Sequence, residues 1–156
     1  MGVRITDRMT PEGRKFMQML KELGEMEVRV GFQHGRATEK DGTDICDIAA
    51  WNELGTEHIP SRPFIRQSVD NNQEKINSFL QERVKALAKG ASAETTLKEI
   101  GEFQKRLIQE EIKSGDFVPN SEATIRKKKS SHPLIATGDM RQSVNYVIQK
   151  KGNEDE

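Results

Sequence analysis

The side chains of this chain whose types could do chemistry are three histidines, one cysteine, a pair of glutamates and a short basic run. His34, His58 and His132 lie far apart and share no ligand-like spacing with Cys46 or with carboxylates, so no metal site is expected. Cys46 follows Ile45 on an apolar-rich face and reads as a small buried hydrophobe rather than a nucleophile. Glu53 and Glu57 flank Gly55 and could be imagined as paired acids, but nothing nearby supplies a substrate pocket, so both are expected to be solvated. Gly31 and Gly35 are not followed by the Lys-Ser/Thr of a phosphate loop. Arg126, Lys127, Lys128 and Lys129 could hold phosphates, although one Tyr and one Trp leave little with which to stack bases. These residues predict no catalytic set and no cofactor, and therefore not an enzyme.

The stretch from Trp51 to Arg66 points instead to a binding surface. Gly55 follows Ile45, Ile48, Ala49 and Leu54 and suits the residue just past a helix, where φ turns positive. Pro60 and Pro63 fix φ twice and hold Ile59 and Arg62 extended. Pro63 also suits the first turn of a helix beginning near Phe64, so Arg62, Phe64 and Arg66 are expected around a rigid corner. Aromatic and guanidinium groups on a rigid support are what interfaces favour. The predicted interface is Trp51, Leu54, Gly55, Pro60, Arg62, Pro63, Phe64 and Arg66, with the two aromatics alternatively packing the corner onto the core.

The elements that must position this corner follow from periodicity. Thr10 and Pro11 open a helix carrying Phe16, Met17, Leu20 and Leu23. Met26, Val28, Val30 and Phe32 alternate with Glu27, Arg29 and Gly31 as a half-buried strand. Residues 34–42 form a charged loop, read as the turn of a hairpin, and a second helix runs from Asp44 to Leu54. One stripe from Ile65 to Leu87 predicts a single helix of roughly 25 residues up to Gly90. A further helix opens at Ser92 or Ala93 and stops at Gly115, so residues 64–115 are expected as a long helical arm or an antiparallel hairpin. Ser121 caps a short helix that ends in a flexible basic run from Lys127 to Ser131. His132 to Ile135 reads as extended, Thr137-Gly138-Asp139 starts a last helical turn, and Val144, Tyr146 and Ile148 alternate as a closing strand before a flexible tail over 150–156. The fold class is α+β, a small antiparallel sheet packed by helices, in one domain over 1–156.

Composition limits the partners. Of 156 residues, 33% are hydrophobic and 32% charged, which suits a helical protein that completes its burial in an assembly. Lys+Arg and Asp+Glu both number 25, so net charge supplies no bulk attraction to nucleic acid or anionic membrane. The lone cysteine forms no internal disulfide, and no apolar run approaches the roughly 18 residues of a membrane span. With no positive-then-apolar start, synthesis in the cytoplasm is expected.

Two stretches carry a family resemblance. Ile48-Ala49-Ala50-Trp51-Asn52-Glu53-Leu54-Gly55-Thr56 followed by Ile59-Pro60-Ser61-Arg62-Pro63-Phe64-Ile65-Arg66 resembles the signature of tailed-bacteriophage tail-completion proteins, the group of siphophage minor tail components and lambda minor tail protein Z. There a helix ending in a Glu-Leu-Gly-Thr or Glu-Phe-Gly-Thr turn runs into an Arg-Pro-Phe corner. Thr124-Ile125-Arg126-Lys127-Lys128 with Pro133 to Met140 and Ser143-Val144 is similar to the closing segment of these proteins and of the Mu-type virion morphogenesis family, with Ala136 where the family has Asp. The matches together span about residues 26 to 148. The resemblance implies a structural virion protein made in the host cytoplasm and placed in the tail or neck. Its task there would be tail completion or head-tail joining, as a homo-oligomeric and by analogy six-fold ring. The implied partners are tail terminator, tail tube or head-tail connector proteins. Capping of tube polymerisation as a tail terminator is the alternative within that class, and a small nucleic-acid-binding module using Arg126 to Lys129 is the alternative outside it.

Overall fold

The computed structural model describes residues 8–129, 132–134 and 139–152. Thr10 opens α1 (Pro11–Glu25) by accepting the Gly13 N–H at 3.1 Å, with Pro11 in the first helical position where its missing N–H costs nothing. The chain passes directly into β1 (Met26–Gly31), and after a loop Asp44 caps α2 (Ile45–Leu54). Then come α3 (Phe64–Asp70), α4 (Gln73–Ala88), α5 (Ala93–Ser114), α6 (Glu122–Lys128), α7 (Asp139–Ser143) and β2 (Asn145–Lys150). The two strands form one antiparallel sheet, with Met26 opposite Lys150 through to Gly31 opposite Asn145. The expected α+β architecture is thus present.

α5 is the centre of the molecule, touching both strands and α1, α3, α4 and α7. The sequence places it in a long helical arm or an antiparallel hairpin, and an arm standing free of the core is not what forms: Leu107, Ile108 and Ile112 on its C-terminal half are buried, the last two in the main core with Ile45, Phe64, Met140 and Val144. Gly101 lets the sheet close on it, because a Cβ there would stand 2.5 Å from the Tyr146 ring. Tyr146 and Val30, opposite one another, therefore mark the covered face of the sheet. Glu27, which accepts from Arg29 at 2.8 Å and Gln149 at 3.0 Å, marks the other face.

Several expectations are corrected. The single long helix is two, because the helical backbone breaks at Asn71 and Asn72, where the Asn72 side chain donates to the Ser68 carbonyl at 3.0 Å. Asparagine competes with the helical backbone in this way. The hairpin alternative holds for α4 and α5: Phe79 stacks on Phe103 with centroids 4.1 Å apart, and nearer the turn Arg83 pairs with Glu99. That turn is a Schellman closure, with Ala91 N–H on the Ala86 carbonyl and Gly90 N–H on the Leu87 carbonyl, both 3.0 Å. Residues 34–42 do not join two strands of the sheet, since β1 pairs with β2; the bridge between Thr38 and Asp44 and the Gly35 N–H on the Asp44 carboxylate close that loop. The basic run is partly helical, as α6 extends through Lys127 and Lys128 to a left-handed Lys129. His132 to Leu134 form a bend and turn, not an extended segment. Lys150 is the last ladder residue and Lys151 N–H still reaches the Glu25 carbonyl at 2.9 Å, so the expected flexible tail does not begin at 150. Ser130, Ser131, Ile135, Ala136, Thr137, Gly138 and the tail from Asn153 lie outside the described residues.

Candidate interaction surface

The corner between α2 and α3 is rigid, and hydrogen bonds make it so. Gly55 ends α2 with φ of 79°, and a Cβ there would meet the Ser61 nitrogen at 2.9 Å. Thr56 N–H donates to the Ile59 carbonyl at 2.8 Å, while its hydroxyl accepts from His58 and Ile59. Ser61 donates to the Glu53 carbonyl at 2.8 Å, and Arg62 N–H to the Asn52 carbonyl at 2.6 Å. Glu53 is half-buried rather than solvated. Its carboxylate accepts the backbone N–H groups of Ile65 and Arg66, at 2.8 and 3.1 Å, and so caps α3 from across the corner. This function of Glu53 is missed from sequence because its partners lie 12 and 13 positions away. Glu57 is exposed, as expected.

Arg62 and Phe64 must be withdrawn from the displayed set. Phe64 is wholly buried, edge-on to Phe32 with centroids 5.9 Å apart. Arg62 is 4% exposed, and its guanidinium is spent inside the chain: Nε donates to the Val118 carbonyl at 2.8 Å, Nη1 to Asn52 Oδ1 at 3.0 Å, and Nη2 to the Pro119 carbonyl and Asn120 Oδ1. A fork of fixed donors fits this set of acceptors on two separate segments. Burial lowers its pKa from the ordinary arginine value. The residue expected to grip a neighbouring chain is a staple between the corner and the segment leading into α6.

The side chains left on the outside are Trp51, Leu54, Pro60 and Arg66, with Gly55 and Pro63 half-buried between them. Leu54 is 73% exposed and Trp51 42%. Beside Leu54 opens a cleft of about 980 Å³ between α2 and the Gly31/Asn145 end of the sheet, its wall mixing Ala50, Ile65 and Val147 with Arg29, His34 and Arg36. Further apolar side chains are exposed on α1, at Phe16, Met17 and Leu20, and on α4, at Leu80 and Val84, features that periodicity predicts as core stripes.

The remaining candidates are occupied or dispersed. Asp44 accepts from Gly35 N–H at 2.6 Å and Cys46 N–H at 2.8 Å, and these two bonds, Gly35 first, hold its carboxyl below the ordinary range. Burial, and then Asp44 and Asp47, push the Cys46 thiol up, which disfavours the reactive thiolate. Among the described residues no group of three or more His, Cys, Asp or Glu is placed to hold a metal. Arg126 lies 3.6 Å from Glu122 on the exposed face of α6, and the Lys128 side chain is outside the description. Among the described residues no helix is long and apolar enough to cross a membrane. No family model, curated protein or solved structure matches this chain.

Proposed function

We propose that this chain is a structural virion protein of a tailed bacteriophage, acting in tail completion or head-tail joining at the neck as one subunit of an oligomeric adaptor ring. The family-like corner and closing segment suggest the setting. The observation that carries the adhesive role is Leu54, 73% exposed beside Trp51 on a corner that seven hydrogen bonds hold fixed, two of them to the Glu53 carboxylate. A rigid surface with an uncovered aromatic and leucine loses little conformational entropy on docking. An adaptor also needs two unlike surfaces, and the exposed apolar residues of α1 and α4 provide a second.

A phage lacking this protein should fill its heads with DNA and polymerise tails, yet fail to finish or attach them. Electron micrographs of such a lysate should show full heads beside separate or malformed tails. Normal infectious particles would overturn the proposal, tails of uncontrolled length would replace it by tail termination, and empty heads would redirect it to a DNA-linked task.

A further inference from the structure

Among the described residues no further strand pairs with either edge of the two-stranded sheet. Lys151 N–H donates to the Glu25 carbonyl, and bonded and non-bonded pairs alternate along an antiparallel ladder. In the register present, Glu27/Gln149 and Arg29/Val147 are then the internally bonded pairs. The backbone groups of Val28 and Val30 on β1, and of Tyr146 and Ile148 on β2, point away from the sheet. Among the described residues no hydrogen bond from another element reaches them. Each strand runs six residues in one-to-one register without proline or bulge, two of the devices that keep edges apart.

We propose that a second copy of this chain covers each edge, the β1 edge of one copy adding to the β2 edge of the next in the register the subunit already uses. Val30 of one copy then lies beside Tyr146 of its neighbour and Val28 beside Ile148, the apolar matches found within the subunit. Charge favours the same arrangement. β1 is entered through Glu25 and carries Glu27, β2 ends in Lys150 and Lys151, and antiparallel pairing brings the acidic start against the basic end. About four backbone hydrogen bonds form at each junction, two for each of the Val28/Ile148 and Val30/Tyr146 pairs. The contact is heterologous, so copies join head to tail and close into a ring or continue as a filament according to the rotation per copy. The biological setting of this assembly rests on the adaptor reading above.

Val28→Pro deletes an N–H that the subunit's own ladder does not use and blocks the β1 edge; Ile148→Pro does the same to β2. Sedimentation velocity should show wild type assembled, each variant alone monomeric, and their mixture a one-to-one dimer, because each keeps the edge the other needs. Wild-type-like assembly by both variants overturns the proposal. So does a monomeric Val28→Pro with a dimeric Ile148→Pro, which would mean pairing of two β1 edges about Val28, with Glu27 facing Arg29. Hydrogen exchange on the unaltered chain tests the same point should either proline variant lose its circular dichroism. The amides of Val28, Val30, Tyr146 and Ile148 should slow at least about tenfold as protein concentration rises. Fast exchange at every concentration overturns edge pairing, while the lysate experiment reads the role in the particle independently.

Discussion

Removing the Arg62 guanidinium should unfold the protein more readily and leave its assembly chemistry alone. The side chain makes four hydrogen bonds, to Val118, Asn52, Pro119 and Asn120, reaching segments 10 to 58 residues away in sequence. A hydrogen bond to a charged group contributes about 1.5–3 kcal/mol, but four sharing one guanidinium are not additive, and a truncated site admits some water. Truncation strands up to four neutral acceptors at about 1–3 kcal/mol each, less whatever water recovers, so Arg62→Ala is expected to cost about 3–5 kcal/mol. For a chain of this size that is a fall in Tm of roughly 6–20 °C. Arg62→Lys should keep less than half of the stabilisation, since a single ammonium cannot span acceptors fixed on two segments. Urea unfolding followed by circular dichroism measures both, and a cycle with Asn120→Ala should return a coupling of about 1–2 kcal/mol. Either Arg62 variant within about 0.5 kcal/mol of wild type, or an association constant that falls while stability holds, would refute the staple and restore Arg62 to the interface.

Phe64→Ala should cost about 3–5 kcal/mol in urea, with assembly lost only as the fold is lost, whereas Leu54→Glu should leave the urea midpoint and edge-to-edge self-association nearly unchanged and weaken partner binding in sedimentation. Gly101→Ala forces a Cβ to 2.5 Å from the Tyr146 ring and should destabilise by about 1–3 kcal/mol, read by urea unfolding, because the sheet must lift from α5. The folded pKa of Asp44 lies below its unfolded value, so the stability it contributes is present above the ordinary carboxylate range and lost as pH falls through the folded value. Urea midpoints taken from about pH 7 to about pH 3 should therefore fall less steeply for Asp44→Asn than for wild type.

What could be read from the chain was local. Thr10, Ser92 and Ser121 bond to N–H groups three residues on, so their capping roles are contained in a few neighbouring letters. The alternation of β1 and β2 is equally local, and pairing follows because no other strand signal competes. The break at Asn71 and Asn72 is not legible because apolar residues recur at helical spacing on both sides of it, and periodicity registers side chains rather than the backbone these two disturb. The burial of Arg62 escapes the sequence for a deeper reason. Its residue type suits a partner's carbonyls as well as its own, and two of its acceptors are backbone carbonyls, which leave no trace in residue identity. Glu53 is the same case in reverse, an acid whose partners are backbone N–H groups beyond a turn.

The placement of uncovered apolar side chains gives the adaptor reading its physical content. On α4, Leu80, Val84 and Leu87 follow one stripe, and Leu87 meets Met19 of α1, where Phe16, a turn back, and Leu20, the next residue, are exposed. Leu87 and Met19 belong to the smaller core cluster, while Trp51 and Leu54 end the helix that feeds Ile45 and Ala49 into the larger one. Edge-to-edge pairing of the sheet would use backbone groups and leave both apolar regions free. Self-assembly and partner docking would then draw on different parts of the subunit, so a copy could join its ring without surrendering the surfaces that meet the structures on either side.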